Sequence, residues 1–366
     1  MLLLLIVTAV VSALACALLL RHGQHLAARY GLDMPQRFHL GHTPRLGGAA
    51  MMLACSAGWL WMTGSGLPLA HDILLSPALA SSWLMVALLG AGGGLAEDVT
   101  HRLKARWRLG CTLAAGLAAV FMLDVRIDSL GVDWLDQAIA LLPWAPMVLA
   151  IVAVAGLPHA FNLIDGYNGL ASTVAIVCCL ALAYVAFLVG DRQLMVVVLS
   201  LAGATAGFLV WNYPRGLIFA GDGGAYLWGV VIAVASIQLA QRHAEVSPWF
   251  PMLLLIYPVW ETLFSSYRKL ARGQSPGLAD ALHFHQLIYR RIVRGVFSES
   301  DANRVLQRNN RTSPYLWGFT LLTVIPAVLF WNNTPVLIGF CLLFVLSYLY
   351  AYLSIVRFKV PRWIRR

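Results

Sequence analysis

Eleven stretches of this chain are apolar for long enough to cross a bilayer, which excludes most folds open to 366 residues. They cover roughly 1–20, 46–63, 78–95, 109–123, 143–160, 168–189, 193–211, 221–240, 248–264, 315–331 and 335–356. A helix of about 20 residues spans the hydrocarbon, and inside it every backbone N–H and C=O must be satisfied within the segment. The stretches therefore read as helices. Composition agrees: 60% of residues are hydrophobic and 11% charged, and the mean hydropathy is +0.75. That leaves too little charged surface for a soluble domain of this length. The expected fold is all-α: one polytopic membrane domain over 1–366 with about eleven transmembrane helices. One large loop, 265–313, stands outside the bilayer.

A net charge of +10 raises the question of a polyanionic partner, and its distribution answers it. Alternating through eleven spans from an outside N-terminus, every Lys and Arg except Arg126, Arg192 and Arg242 falls in an inward loop or tail. This is the bias of membrane topology and not a nucleic-acid face. It predicts an outside N-terminus, a cytoplasmic C-terminus and residence in a bacterial inner membrane. The first block lacks an early basic residue and a clear small-residue cleavage site, so it reads as a retained span. All six cysteines fall inside predicted spans with no CxxC pair, where thiols act as small hydrophobes.

Carboxylates at the edge of the hydrocarbon cost free energy and mark function by default. The outward acids, such as Asp128 and Asp136, lie in loops without pattern, and ordinary solvation accounts for them. Five inward segments are different. Residues 33–48 read DMPQRFHLGHTPRLGG and combine Asp33, Arg37, His39 and Arg45 with two glycines; as a bland alternative, this is a basic inward loop. Residues 90–109 end a span on Glu97 and Asp98, adjacent acids that repel unless a cation or proton relieves them. The Gly90/Gly94 spacing in that segment reads as a helix-packing surface, since no strand precedes it and no GxGxxG forms.

The third segment, FNLIDGYNGL (161–170), packs Asn162, Asp165, Asn168 and two glycines between apolar spans, beyond what a bare turn requires. In the fourth, WNYPRGLIFAGDGG (211–224), Asn212 precedes Asp222, an acid without a charged neighbour at a helix start and suited to a hard cation. The fifth, 258–291, carries Glu261, Asp280, His283, His285, Arg290 and Arg291. Glu261 is the deepest acid, and a basic residue such as Arg268 is its expected partner. His283 and His285 diverge on a helix and lack the cysteines or HExxH of a zinc set, so phosphate contact fits better.

Carboxylates with open positions suit Mg²⁺, or Mn²⁺ in its place, bound through one or two acids plus substrate phosphates. Arginines suit diphosphate oxygens, which makes Arg45, His39 and Arg290 candidate substrate contacts. No GxxxxGK[ST] loop is present to indicate an NTP-driven motor. The inventory is sufficient for phosphoryl transfer, which is mostly positioning and charge neutralisation.

In these five segments, from Asp33 to about Arg291, the chain resembles the polyprenyl-phosphate N-acetylhexosamine-1-phosphate transferases. This is glycosyltransferase family 4, which also contains phospho-N-acetylmuramoyl-pentapeptide transferase. The resemblance implies that Glu97 and Asp98 occupy an Asp-Asp pair, that Asp165 is catalytic and that Asn162 and Asn168 contact the nucleotide-sugar. It further implies that Asp222, with Asp98, holds magnesium, and that Asn212, His283 and His285 serve the diphosphate, His283 among the catalytic set. The implied reaction moves an N-acetylhexosamine-1-phosphate from a UDP-sugar to undecaprenyl phosphate, releases UMP and initiates a surface glycan such as O-antigen. A UDP-GlcNAc-like donor is expected, because HFHQ departs from the three-histidine form of the pentapeptide branch. Glu97, Ala225 and Gln286 stand where the family more often has Asp, Ser and His. Related enzymes are often dimers, so a homodimer is the expected assembly. Two alternatives belong to other classes: a transporter or channel with a cytoplasmic polar site, and a transferase homologue that has lost activity.

Overall fold

The computed structural model describes residues 1–22, 43–64, 75–273, 282–293 and 302–356. Among them every regular element is helical. The chain runs α1 (Leu2–His22), α2 (Gly47–Gly64), α3 (Pro77–Thr100), α4 (Ala105–Leu123), α5 (Asp133–Ala140), α6 (Ala145–Ile164) and α7 (Leu170–Leu188). It continues through α8 (Arg192–Asn212), α9 (Gly221–Arg242), α10 (Trp249–Leu254), α11 (Ile256–Leu270), α12 (Phe284–Ile288), α13 (Ala302–Leu329) and α14 (Thr334–Val356). A π-helical turn, Tyr289–Val293, follows α12.

Nine of the described helices are long and apolar enough to cross a membrane, which bears out the polytopic, all-α reading. The expected count of eleven differs at two blocks. The second, α2, is a continuous helix of 18 residues but lies outside the nine. The ninth breaks at Leu255 into α10 and α11, neither of which is long enough alone. Pro251 and Pro258 flank that break, and a proline inside a helix removes one N–H and crowds the preceding turn. The tenth block, expected to begin at 315, instead starts at Ala302, so the mostly polar residues 302–314 precede its apolar stretch.

Helix α9 is the axis of the molecule. Every residue from Gly221 to Ser236 is buried, as expected for a helix that is apolar around its whole circumference. It packs against α2, α3, α4, α6, α7 and α8. Small residues let the backbones close up. A Cβ at Gly48 would overlap the backbone at Gly224, and one at Gly94 would lie 2.5 Å from the main chain of Asp222 and Gly223. Gly90 rests on Val230 in the same interface. Where Pro158 interrupts α6, the facing position on α9 is Gly229, with no side chain to collide with the ring.

Successive helices alternate in direction, so their ends gather on two faces. On one face Asp191 caps α8 and pairs with Arg242 and His243 at the end of α9, each at 3.3 Å. The Gln238 amide there donates to Leu123 O at the end of α4. The opposite face collects the polar segments singled out in the sequence.

Candidate active site

The site begins where the residues before α2 lie along those before α9. Phe219 N donates to Pro44 O, Gly47 N to Phe219 O and Gly48 N to Ala220 O, all at 2.9 Å. This short pairing sets Arg45 beside the first turn of α9. Asp98, in the last turns of α3 and 1% exposed, reaches the same turn. Its two oxygens accept from Asp222 N at 3.0 Å and Gly223 N at 2.8 Å. These N–H groups have no partner within the helix, and a carboxylate there also complements the positive end of the helix dipole. Asp98 thus fixes the backbone that carries Asp222.

The Asp222 side chain accepts from Asn162 Nδ2 at 2.8 Å on one oxygen and from the Arg108 guanidinium on the other. Arg108 comes from the first turn of α4, just beyond the acidic pair in sequence. Neighbouring Glu97 turns back on its own chain and accepts from Leu103 N at 2.6 Å, which secures the tight connection between α3 and α4. Asp165 follows α6 directly, three residues after Asn162. Burial pushes its carboxyl up to about 7, with Arg45 opposing the shift.

The histidine segment joins from the side. The Glu261 carboxylate, fully buried in α11, accepts from Phe284 N at 3.0 Å and from the Tyr348 hydroxyl at 2.6 Å, and it holds His283 Nδ1 at 3.2 Å. The expected Arg268 instead donates to the Tyr352 hydroxyl at 2.9 Å. His285 stacks on His283, with ring centroids 5.4 Å apart, and meets the edge of Tyr167 at 5.6 Å. Gly166 lies against His285: a Cβ there would be 3.4 Å from His285 Nε2. The loop bearing Asp165 and the loop bearing the histidines are therefore in contact. Burial lowers the His285 pKa to about 3, so its ring is neutral at physiological pH.

Two amides organise the floor. Asn212 accepts from Gly169 N at 2.7 Å and donates to Ile218 O at 2.9 Å, which ties the third and fourth polar segments together. Asn168 is gripped by α13: its N–H donates to Asn309 Oδ1 at 2.8 Å, and its side-chain amide to Asn310 Oδ1 at 3.0 Å. Ser313 donates to Asn168 O at 2.6 Å, and Trp317 Nε1 to Gly169 O at 3.0 Å. The sequence reading missed these residues of α13. The signal was a pair of amides just before an apolar span, concealed in a stretch that arginines dominated.

Asp98, Glu97, Asp165, Asp222, Asn162, Asn168, Asn212, Arg45, His283 and His285 thus share one face. Arg290 lies near Tyr167, whose phenol burial holds well above its ordinary pKa, with the Arg290 charge opposing that shift. His39, with Asp33, Arg37 and Asp280, falls outside the described residues. Among those described, no three His, Cys, Asp or Glu side chains close around one point. Asp98 is engaged by N–H groups, His283 by Glu261 and Asp222 by Arg108. Magnesium does not need three: one or two carboxylates plus phosphate oxygens and water suffice. The donors are all hard oxygen, and a guanidinium already neutralises Asp222. The residues would fit a magnesium ion at Asp222 if the ion took the place of Arg108 on that carboxylate.

Comparison with known proteins gives an independent line. Residues 80–240 match the family model for glycosyl transferase family 4. The chain is 25% identical over 284 residues to a probable undecaprenyl-phosphate N-acetylglucosaminyl 1-phosphate transferase of Bacillus subtilis, covering 76% of each chain. It is 29% identical over 296 residues to a decaprenyl-phosphate N-acetylglucosaminephosphotransferase of Mycolicibacterium smegmatis, covering 71% of this chain and 69% of that one. A phospho-N-acetylmuramoyl-pentapeptide-transferase of Streptococcus pyogenes is 23% identical over 265 residues, which is 69% of this chain and 76% of its own.

Proposed function

We propose that this chain, which is similar to members of the polyprenyl-phosphate N-acetylhexosamine-1-phosphate transferase superfamily, transfers an N-acetylhexosamine-1-phosphate from a UDP-sugar to undecaprenyl phosphate. One observation supports this reading above the others. Asp98 of α3 holds the first turn of α9 so that Asp222 stands between Asn162 and Arg108. Buried acids, amides and guanidinium groups on one face are what a diphosphate donor and a phosphate nucleophile require.

In this reading a lipid phosphate oxygen attacks the β-phosphorus of the UDP-sugar. The new P–O bond forms as the bond between the β-phosphorus and the bridging oxygen breaks, and UMP leaves with that oxygen. A phosphomonoester has a second pKa near 6, judging from phosphoserine, so the nucleophile is largely dianionic at neutral pH and needs little help from a base. Asp222 would hold a magnesium ion, which would supply charge neutralisation at the diphosphate. Arg108 and Arg45 add positive charge on either side of the acids, and Asn162 keeps the Asp222 carboxylate aimed. His285, neutral and enclosed, serves as a positioning group or hydrogen-bond partner, not as a cation. The product is a lipid-linked sugar at the cytoplasmic face of the inner membrane, the starting unit of a surface glycan such as O-antigen.

The deciding assay is UMP release from UDP-GlcNAc by the detergent-solubilised protein, with undecaprenyl phosphate and Mg²⁺. Release should require the lipid, stop with EDTA and vanish in Asp222→Ala. Screening UDP-GalNAc and 6-deoxy N-acetylhexosamine donors in parallel identifies the sugar. No lipid-dependent UMP release from any of these donors would overturn the assignment.

A further inference from the structure

The α13 contacts with Asn168 carry information about what that residue offers a ligand. A side-chain amide has an acceptor end and a donor end, and its orientation is fixed by its partners. Here the orientation can be traced to an unambiguous group. Pro214 O is a main-chain carbonyl and can only accept. Asn310 Nδ2 donates to it at 2.6 Å, so Asn310 must turn its oxygen the other way, toward Asn168. That oxygen accepts from Asn168 Nδ2 at 3.0 Å, so Asn168 in turn must present its own oxygen away from Asn310. The main chain of Asn168 is immobilised by Asn309 and Ser313 on either side of the peptide. At the end of this relay, Asn168 Oδ1 is buried, in a residue 1% exposed, and finds no hydrogen-bond partner. A buried acceptor without a partner is costly to keep unless a ligand completes it.

We infer that Asn310 is a positioning residue that determines specificity: through the relay from Pro214 it makes Asn168 an obligate acceptor for an N–H donor on the nucleotide base, such as the imide of uracil. The inference rests on the reading above that Asn168 contacts the donor nucleotide. It goes further in fixing the polarity of that contact and assigning its control to a residue of α13. Uracil carries a hydrogen at N3, whereas cytosine carries a lone pair there, so an acceptor at this point favours uridine over cytidine nucleotides. Were Asn168 flipped, the preference would reverse. A carboxylate at position 168 would keep the acceptor but lose the donation to Asn310.

Three variants separate polarity from mere packing. Asn310→Asp still accepts from Asn168 Nδ2 and preserves its orientation, although it loses the donation to Pro214 O, which repels its second oxygen. Asn310→Leu fills a similar volume but releases the amide. Asn310→Lys donates toward Asn168 and draws its oxygen inward, leaving Nδ2 to face the ligand. The readouts are KM for UDP-GlcNAc, KM for undecaprenyl phosphate, kcat, and inhibition by UMP and by CMP, with melting temperature as a folding control. Asn310→Leu should raise the donor KM on the order of tenfold, the scale of one hydrogen bond. The lipid KM should stay where it is. Asn310→Asp should keep the preference for UMP over CMP and raise the donor KM less than Asn310→Leu does, and Asn310→Lys should lose most of that preference. Equal effects of Asp and Leu would overturn the relay, as would parallel losses in both KM values, while leaving the transferase reading intact. Failure of the wild-type protein to bind UMP at all would remove the nucleotide reading, and the relay with it.

Discussion

Asp98 holds another acid of the candidate site in place through the backbone. The sequence places it in an acidic pair and the resemblance makes it catalytic. In the fold its oxygens accept from the N–H groups of Asp222 and Gly223, so its hold on Asp222 is through the backbone. Asp98→Asn turns an N–H₂ toward one of those donors and leaves a buried helix terminus short of an acceptor. We expect UMP release to fall on the order of a hundredfold, because sub-ångström displacement of a reacting group costs that much. Raising the pH should not restore it, since no proton transfer was lost; recovery that tracks ionisation of the lipid phosphate would show that Asp98 acts as a base instead. His285 makes the second prediction at this scale. Its pKa falls from the usual 6.5 to about 3, so the unfolded chain binds a proton that the folded one refuses. This contribution to stability is fully present above 6.5 and is lost as pH drops toward 3. His285→Gln should therefore flatten the acid side of a melting-temperature profile in detergent and leave the profile unchanged at neutral pH.

Helix packing sets the distances on which the residues depend. The start of α9 can approach α2 and α3 because Gly48 and Gly94 carry no side chain where they meet Gly224 and the Asp222–Gly223 backbone. A side chain at position 94 would push α9 away from α3 and pull Asp222 out of reach of Asp98. Gly94→Val should lower stability by about 1–3 kcal/mol, the usual cost of overpacking, and abolish activity as well. Gly92 lies in the same helix with nothing within 4 Å of its would-be Cβ, so Gly92→Ala serves as a control with little effect. Thermal unfolding in detergent measures both. The break at Leu255 acts at the same scale. It ends α10 and restarts the chain as α11, which carries Glu261 to the histidine segment and to Tyr348 of α14.

At the scale of the whole molecule, alternation of helix direction puts every acid of the candidate site on one face and the Asp191–Arg242–His243 cluster on the other. From the distribution of Lys and Arg we propose that the first face is the cytoplasmic one. Cysteines introduced by Asp128→Cys and Arg102→Cys test that assignment, because the two positions are exposed beyond opposite ends of α4. A membrane-impermeant maleimide applied to spheroplasts should label the variant at 128 and not the variant at 102. The reverse pattern would invert the topology and place the nucleotide-sugar site outside the cell.

Apolar block length made helices the only backbone solution in a bilayer, so the all-α membrane fold followed from the amino acids directly. The cost of carboxylates near hydrocarbon likewise drew attention to Asp98, Asp165 and Asp222, since that penalty belongs to each residue on its own. Partnership could not be read in this way. Glu261 meets His283 and Tyr348 rather than an arginine one or two turns along its own helix, and Arg108 crosses from α4 to Asp222. Asn310 reaches Asn168 from 142 positions away. Those contacts arise from which helices pack together, and long-range packing is decided by how all their surfaces close at once.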